Sequence, residues 1–586
     1  MLREAVYHRS QLPYIYMYQN DTLHIRLRTK KNDVQHVRLF YGDPFLWEGA
    51  QWVHEEKEMS YSGTDESFDY WLIELKTRWN RLRYGFIIQT EQETLYYTEK
   101  GFSDEKPSDI GPLFCYPYLH FNEDHLPPTW AKKAVWYQIF PDRFHNGSTE
   151  NDPEPLSLWG EEPDFHSFFG GDLKGITAKI PYLAELGISG IYLTPIFHSN
   201  SNHKYDIIDY FQLDPHFGTK EELKELVTKC HNHDIKVMLD AVFNHCSINF
   251  PPFQDVLKNG EHSRYKDWFY IHHFPIQTEP KPNYETFSYE KNMPKMNTSN
   301  HEVISYFMDV VTYWTKEFDI DGWRLDVANE VPHAFWRTFR QTVKEIKQDV
   351  FIVGEVWHDA IRWLDGEQFD TVMNYPLLEA MRSYFLYETT STSAFIAALE
   401  RIRHAYPQTA VDVSFNLIGS HDTDRVWTVA NHREELIRLL FAFFLTYPGA
   451  PCLYYGDEIR LTGGPDPNCR KCMPWEMHNE DFFQFVKRLI HLRNKLSLND
   501  GTLRFHRIQN NSDVIVMTNT KDENRLIALF NKSDREQTIT LPFPLRNRTL
   551  EDLWTNEEFA ANAEELSVLL PPYSFQLLLE VGVVLN

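Results

Sequence analysis

Chemistry in this chain begins at Gly322-Trp323-Arg324-Leu325-Asp326, where an apolar segment ends in an arginine and a carboxylate two positions apart. In an extended strand those two side chains share one face. A fixed cation there favours the ionised form of Asp326, the form a nucleophile needs. Three further carboxylates close similar apolar segments: Asp240 in Lys236-Val-Met-Leu-Asp240-Ala-Val-Phe-Asn-His245, Glu355 in Phe351-Ile-Val-Gly-Glu355-Val-Trp357, and Asp422 in Phe415-Asn-Leu-Ile-Gly-Ser-His421-Asp422. Glycosidic cleavage uses paired carboxyl groups, one to attack or stabilise the anomeric carbon and one to protonate the departing oxygen. The competing reading, buried acids held in structural ion pairs, suits any one of these sites taken alone and suits the whole set far less well.

Acids set repeatedly at strand ends, with helices between the strands, are what the active face of a (β/α)8 TIM barrel requires. From Ala134 onward strands and helices alternate, the signature of a parallel sheet. Thr219-x-x-Glu222 forms a capping box ahead of Leu223, Leu226, Val227 and Cys230 at helical spacing, and a β-branched strand follows from Ile235. A second unit takes Ser299-x-x-Glu302 as its cap and Ile304, Phe307, Met308 and Val311 as its buried stripe, and feeds the strand ending at Asp326. Eight strands are expected, near 135–140, 190–195, 237–244, 322–327, 351–356, 371–374, 414–419 and 452–456. Between His245 and Asn300 lies an aperiodic, aromatic-rich excursion too long for an ordinary loop.

The flanks read differently. Residues 1–125 alternate apolar and polar in Leu23-His-Ile-Arg-Leu-Arg28 and in short segments at 37–41, 70–75 and 84–89, which predicts an N-terminal β-sandwich of immunoglobulin-like size. Pro127-Pro128 marks the exit into a catalytic barrel over 126–500, with an inserted subdomain near 246–300. Residues 501–586 turn all-β again, through 514–517, 526–530, 538–541 and 575–579.

Composition narrows the partners. A formal charge of −26 over 586 residues repels nucleic acid and anionic membranes and leaves a neutral polymer such as a glucan unaffected. Aromatics make up 15% of the chain, which suits sugar stacking, although most such rings in any large protein are core. The opening Met-Leu-Arg-Glu-Ala-Val-Tyr-His-Arg has no apolar h-region, so a cytoplasmic location is the expectation. Six cysteines are too few for a disulfide scaffold. Cys469-x-x-Cys472 has zinc or redox spacing but lacks a second Cys or His pair at metal-finger distance.

Four of these segments, Asp240-Ala-Val-Phe-Asn-His245, Gly322-Trp-Arg-Leu-Asp326, Gly354-Glu355-Val-Trp357 and Gly419-Ser-His-Asp-Thr423, resemble the signature regions of the α-amylase superfamily in order and spacing. Asp326-Val-Ala-Asn-Glu330-Val, Met373-Asn-Tyr-Pro376, His203-Lys-Tyr205-Asp206 and Cys469-Arg-Lys-Cys-Met473 resemble the neopullulanase, cyclomaltodextrinase and maltogenic amylase subgroup. The resemblance implies Asp326 as nucleophile, Glu355 as acid/base and Asp422 as the third acid, which holds ring hydroxyls. It also implies retention of the α-anomer, which places the nucleophile and the acid/base about 5 to 5.5 Å apart. Arg324 is expected to keep Asp326 ionised, and Glu355 to sit in a less polar setting walled by Trp357.

The same resemblance makes His421 and His245 companions of Asp422, although a histidine met alone is more often structural. It makes Tyr205, beside His203, the ring under the cleaved sugar. Asp240 is expected to organise the strand end and Arg324. Asp466 and Arg470 match a subgroup segment that binds the next sugar, with a surface ion pair as the alternative. Asn329 and Glu330 fall on the acceptor side, where Glu330 is placed to affect the balance between water and sugar acceptors. The chemistry needs no metal. A structural calcium is implied by Asn146, Ser148, Asn151 and Asp152 together with Gly170 and Asp172, oxygen ligands of the kind this cation takes. Ser148 stands where the subgroup often has Asp, which weakens the site by one charge.

The reading is therefore a retaining α-glucan hydrolase acting on α-1,4 bonds in cyclodextrins, maltooligosaccharides and pullulan, with some transglycosylation. An exo-acting α-glucosidase or α-1,6-glucosidase on the same barrel is the alternative among enzymes. A non-catalytic glucan-binding protein is the alternative outside them, and intact Asp326, Glu355 and Asp422 argue against it. For the N-terminal domain the resemblance implies homodimerisation that narrows the partner's cleft, against a starch-binding module on a monomer.

Overall fold

The computed structural model describes residues 1–19, 21–118, 126–476, 480–496, 498–508, 513–545, 549–560 and 566–580. The expected boundary between residues 125 and 126 lies outside them. The alternation read from the N-terminal sequence becomes two antiparallel sheets. One is four-stranded, in the order Ile15–Gln19, Thr22–Lys30, Phe68–Lys76, Ser60–Thr64, and the other is built around Leu82–Gln89 and His36–Gly42. Leu23, Ile25 and Leu27 face the sandwich core with Val37, Leu39, Phe86 and Ile88. The intervening His24 and Arg26 are buried too, contrary to a simple inside-outside alternation. Their face lies against the barrel, where Arg26 Nη1 donates to the Tyr406 carbonyl at 2.6 Å and the Gln408 N–H donates to Tyr16 Oη at 2.9 Å.

All eight expected barrel strands form: Trp136–Ile139, Gly190–Leu193, Lys236–Ala241, Gly322–Leu325, Phe351–Gly354, Thr371–Val372, Phe415–Leu417 and Ala450–Tyr454. Neighbours pair in parallel from the first strand through the sixth, and the eighth pairs with both the seventh and the first. A parallel bridge between Met373 and Phe415 links the sixth strand's end to the seventh. Side chains fill the interior, as this architecture demands. Trp136 stacks on Phe351 at 6.0 Å between centroids, and a Cβ on Gly190 would lie 2.6 Å from the Trp136 ring, so only glycine fits there.

The helix Lys220–His231 begins with the expected capping box, Thr219 and Glu222 each satisfying the other's backbone N–H, and buries Leu223, Leu226, Val227 and Cys230. The next expectation was off by one residue. The helix His301–Phe318 is capped by Asn300, not Ser299, and its buried stripe is Val303, Phe307, Val310, Val311 and Trp314, with Ile304 and Met308 half-buried. Asn300 displaces Ser299 because its side-chain oxygen reaches the Glu302 N–H at 2.8 Å. The excursion after the third strand holds the helix Pro251–Asn259 and returns through bridges that pair His245 with Lys295 and Phe269 with Met296. The C-terminal sheet, centred on Val514–Lys521, Asn524–Asn531 and Ser574–Glu580, docks Phe530 edge-on against Phe443 of the barrel helix Glu434–Thr446.

The N-terminal sandwich buries an imidazole that resists protonation. His8 Nδ1 lies 2.7 Å from the Arg26 carbonyl and Nε2 lies 2.9 Å from Tyr84 Oη, and burial pushes its pKa down to about 3. Below the ordinary value of 6.5 the unfolded chain takes up a proton that folded His8 refuses, so this group's contribution is lost as pH falls from 6.5 toward 3. The expected slope is about 1.4 kcal/mol per pH unit for this one group. His8→Gln is therefore expected to lose less urea stability than the parent between about pH 6 and pH 4.5, by roughly that slope. Parallel stability curves for the two proteins would remove His8 from the acid sensitivity.

Candidate active site

The fourth strand delivers what its sequence promises. Arg324 Nη1 lies 2.7 Å from Asp326 Oδ1. The same guanidinium also meets both oxygens of Asp240 at 3.0 Å, from the third strand, and Glu355 Oε2 at 2.9 Å, from the end of the fifth. Strand register places these groups: Asp240 sits directly opposite Arg324, and Leu325 opposite Gly354. Asp240 is completed by hydroxyls, Tyr192 Oη at 2.6 Å and Tyr205 Oη at 3.0 Å, and so organises the cluster as the sequence suggested.

One cation facing three carboxylates changes the expected electrostatics. Burial pushes the Asp326 carboxyl well above the usual carboxylate range, Arg324 pulls it the other way, and Glu355 and Asp240 push it up again. Asp240 is likewise raised by burial against the pull of Arg324. Arg324 therefore divides its charge among three carboxylates, and its pull on Asp326 is weaker than a one-to-one pair would give. Asp326 Oδ1 is tied to Arg324 while Oδ2 is buried without a hydrogen-bond partner among the described residues, so Oδ2 is the carboxylate oxygen with no competing contact.

Glu355 differs from expectation as well. Its setting is polar: besides Arg324, the Val327 N–H donates to Oε2 at 2.9 Å and Trp357 Nε1 donates to Oε1 at 3.1 Å. Trp357 acts through its indole N–H and not as an apolar wall. Its ring stacks on Tyr375 at 3.7 Å and is 47% exposed, which leaves part of the indole open to solvent. Val327 adopts φ +46°, a left-handed conformation that a β-branched residue rarely takes. Strain of this kind is of order 1–3 kcal/mol and persists where surrounding contacts fix it. Here those contacts are the Val327 and Ala328 N–H groups, bonded to the Glu355 carboxylate and carbonyl. Nothing in the local sequence signalled this turn.

A second cluster faces the first. Tyr205 lies parallel to His421, 5.5 Å between centroids, with its hydroxyl 2.7 Å from His421 Nε2. Gln138 Nε2 lies 2.6 Å from His421 Nδ1, so the proton of the neutral ring sits on Nε2, where Asp422 Oδ2 is 3.2 Å away. Burial pushes His421 well below its ordinary value, His245 down to about 3 and His203 down to about 4. All three imidazoles are neutral hydrogen-bonding groups near pH 7. Arg470 spans the cluster, Nη2 to Asp422 Oδ1 at 3.3 Å, Nη1 to Asp466 Oδ1 at 3.1 Å and Nε to the His421 carbonyl at 2.9 Å. Arg470 is 8% exposed and Asp466 lies at the surface, so the ion pair weighed for these two residues does form, from a buried arginine to an exposed acid. Cys469 and Cys472 are buried free thiols raised by burial to about 11 and 12, and Cys469 Sγ donates to the His421 carbonyl.

A cavity of about 480 Å³ opens over both clusters. Asp326, Glu355, Asp422, His203, Tyr205, His245, Asn329, Trp357, His421, Asp466 and Arg470 all line it. Arg324 lies beneath its floor. Glu330 stands outside the lining and pairs with Lys295 of the insertion at 2.6 Å. Sequence reading missed Phe165, Asn202, Phe287 and Met293, which also line the cavity and reach it from long loops with no periodic signal. Larger clefts of about 830 and 720 Å³ run along the domain seams but hold no comparable pair of carboxylates on a shared cation.

The loop read as a calcium site also assembles. Asn146 Nδ2 lies 2.7 Å from Asp152 Oδ1, Asn151 Nδ2 lies 3.3 Å from Asp172 Oδ2, and the Ser148 N–H donates to Asn146 Oδ1. A Cβ on Gly170 would fall 2.4 Å from Asp152 Oδ1. Among the described residues no group of three or more His, Cys, Asp or Glu side chains gathers in metal-binding geometry. This loop supplies two carboxylates and neutral oxygens instead, a donor set that fits a hard cation.

Comparison with known proteins agrees with this geometry along the whole chain. Residues 138–497 match the alpha amylase catalytic domain, 1–120 the alpha amylase N-terminal ig-like domain, and 503–577 the maltogenic amylase C-terminal domain. A cyclomaltodextrinase of Geobacillus thermopakistaniensis is 52% identical over 98% of this chain and 99% of its own length. Neopullulanase 2 of Thermoactinomyces vulgaris is 42% identical over 99% of each chain. A solved cyclomaltodextrinase structure superposes with a TM-score of 0.94 at 42% identity, covering 99% of this chain and 100% of that one. The chain thus belongs to the alpha-amylase family and is a glycoside hydrolase of its cyclomaltodextrinase, maltogenic amylase and neopullulanase group.

Proposed function

We propose that the protein hydrolyses α-1,4-glucosidic bonds in cyclodextrins, maltooligosaccharides and pullulan with retention of the α-anomer, and transfers part of its product to sugar acceptors. The observation that carries this is the placement of Asp326 and Glu355 on two arms of one buried guanidinium at the floor of the cavity. Glu355 protonates the departing oxygen while Asp326 Oδ2 attacks the anomeric carbon. Glu355 then takes a proton from water, or from an acceptor sugar, as that group attacks the glycosyl-enzyme.

Asp422, His421 and His245 hold the hydroxyls of the sugar being distorted, and the Tyr205 ring lies under it. His203, Asp466 and Arg470 take the sugars beyond. Trp357, stacked on Tyr375, offers an indole surface to the acceptor, with Asn329 nearby and Glu330 at the rim. Names among the relatives, cyclomaltodextrinase, maltogenic alpha-amylase and neopullulanase, support this choice of substrates over an α-1,6-specific or purely exo-acting enzyme. Location in the cytoplasm is supported by an intracellular maltogenic amylase of Bacillus subtilis at 44% identity. Calcium is proposed as a structural ion held by Asn146, Asn151, Asp152 and Asp172, with Ser148 and Gly170 shaping the loop. Burial raises Asp172, as expected of a carboxylate short of compensating charge.

The partner is proposed to be a second copy of the chain. Phe45, Leu46 and Trp47 of the N-terminal domain are exposed, with Phe45 at 74%. Leu158 at 72% and Phe165 at 63% are exposed apolar side chains of the barrel domain, and Phe165 lines the catalytic cavity. Pairing the first patch of one protomer with the second patch of its partner covers both and narrows the cleft.

Asp326→Asn and Glu355→Gln are near-isosteric, so each is expected to lose activity by at least about 10²- to 10⁴-fold with its unfolding transition preserved. Newly released sugar is expected to be the α-anomer by proton NMR, and an initial β-anomer would rule out double displacement. Chelation is expected to lower the melting temperature by a few degrees, about 2–4 °C per kcal/mol lost, with recovery on adding calcium and no response in Asp172→Ala. Phe45→Ser with Trp47→Ser is expected to sediment as a monomer with a reduced ratio of cyclodextrin to starch activity. A parent protein that is already monomeric at micromolar concentration would refute the dimer.

A further inference from the structure

Behind the loop that carries His421 and Asp422 lies a buried carboxylate that the mechanism above does not use. Asp457 follows the eighth strand and is wholly buried. Its Oδ1 accepts from Arg425 Nη1 at 3.1 Å, and its Oδ2 has no hydrogen-bond partner among the described residues. That oxygen points at the backbone of the loop: a Cβ on Gly419 would lie 3.6 Å from it and 3.3 Å from Arg382 Nη2.

Arg382 and Arg425 are the struts of this loop. Arg382 donates to the Ile418 carbonyl at 2.9 and 2.7 Å, to the Asp424 carbonyl at 2.7 Å and to Thr423 Oγ1 at 3.3 Å, and so brackets residues 418–424. Arg425 donates to the carbonyls of Tyr455 at 2.6 Å and Cys469 at 2.8 Å. Cys469 and Arg470 in turn grip the His421 carbonyl. Among the described residues Asp457 is the one carboxylate in ion-pair contact with Arg425, and Arg382 makes no such contact of its own. Two buried guanidiniums whose other bonds go to neutral oxygens thus flank a single acid.

We propose that Asp457 is a positioning residue for Asp422: its ionised carboxylate, set between Arg425 and Arg382, fixes the loop that aims Asp422 and His421 at the sugar. The inference rests on the sugar-holding role given to Asp422. Burial raises Asp457 to about 7, Arg425 and Arg382 lower it, and Glu458 beside it in the same turn raises it. The eighth strand contributes the buried neutral thiol of Cys452 and the Tyr454 ring, and Tyr455 follows it, both rings lying against the Arg425 guanidinium. The ionised form prevails above that value, so the loop is held on the alkaline side and loosens as pH falls through it.

The test compares kcat and KM of the full-length protein and its variants on a maltooligosaccharide between about pH 5 and pH 9. Asp457→Asn is expected to lose about ten- to a hundredfold in kcat at pH 8, with KM changed far less, because a misplaced Asp422 weakens grip on the distorted sugar. Its profile is expected to be flat through neutrality where the parent's falls. Arg382→Gln removes a cation that favours ionised Asp457, so its acid limb is expected to move to higher pH. A parent-like rate and profile in Asp457→Asn overturns the proposal. Should that variant fail to fold, an unmoved limb in Arg382→Gln overturns it instead, and a raised limb upholds it. Asp422→Asn run in parallel separates the two assignments: if it stays active, the role of Asp422 is at fault.

Discussion

One buried guanidinium decides where everything else in this barrel must stand. Arg324 meets Asp240, Asp326 and Glu355, from three adjacent strands, within 3.0 Å. Removing any one acid leaves the shared charge distributed differently, and removing the arginine leaves three acids buried together. Such clusters are costly to desolvate and survive only with close geometry. That requirement fixes register: Asp240 must face Arg324 across the ladder, and Leu325 must face Gly354. A slip of one residue would turn every one of these side chains to the other side of its strand.

The acids at the strand ends were legible because a strand declares its period in its own residues. Asp326, Glu355, Asp422 and Asp240 close apolar runs, and all eight strands appear where such runs predict them. Properties that depend on a second segment were not legible. His24 and Arg26 alternate with core residues yet are buried, because the barrel covers the face that alternation assigns to solvent. Asn300 took the cap from Ser299 through one hydrogen bond that spacing alone cannot rank. Phe165 and Met293 reach the cavity on aperiodic loops, where composition carries no direction.

The environment of Glu355 teaches the same point through chemistry. Its neighbour Trp357 suggested an apolar wall, and the indole N–H turned it into a donor. Glu355 therefore shares Arg324 with two other acids and does not sit in an oily pocket. Left-handed Val327 is part of that arrangement, since its N–H reaches the Glu355 carboxylate only because the chain turns there against its preference. Strain located beside Asp326 is consistent with a site that spends stability on geometry.

Support for the site is layered in the same manner on its other side. Arg470 touches Asp422 directly, Arg425 holds the carbonyl next to Arg470, and Asp457 neutralises Arg425. Burial deepens along this path, from the Asp422 side chain at 30% exposed through Arg470 at 10% to Arg425 and Asp457 at 0% and 1%. Burial strengthens each hydrogen bond and raises the penalty for a missing partner. A carboxylate lining a cavity, in the sugar-holding role proposed for Asp422, must stay accessible, so it cannot be packed in place from the front. Its position must be imposed from behind, through groups that water does not reach, and the arginines beneath the 418–425 loop are placed to do that.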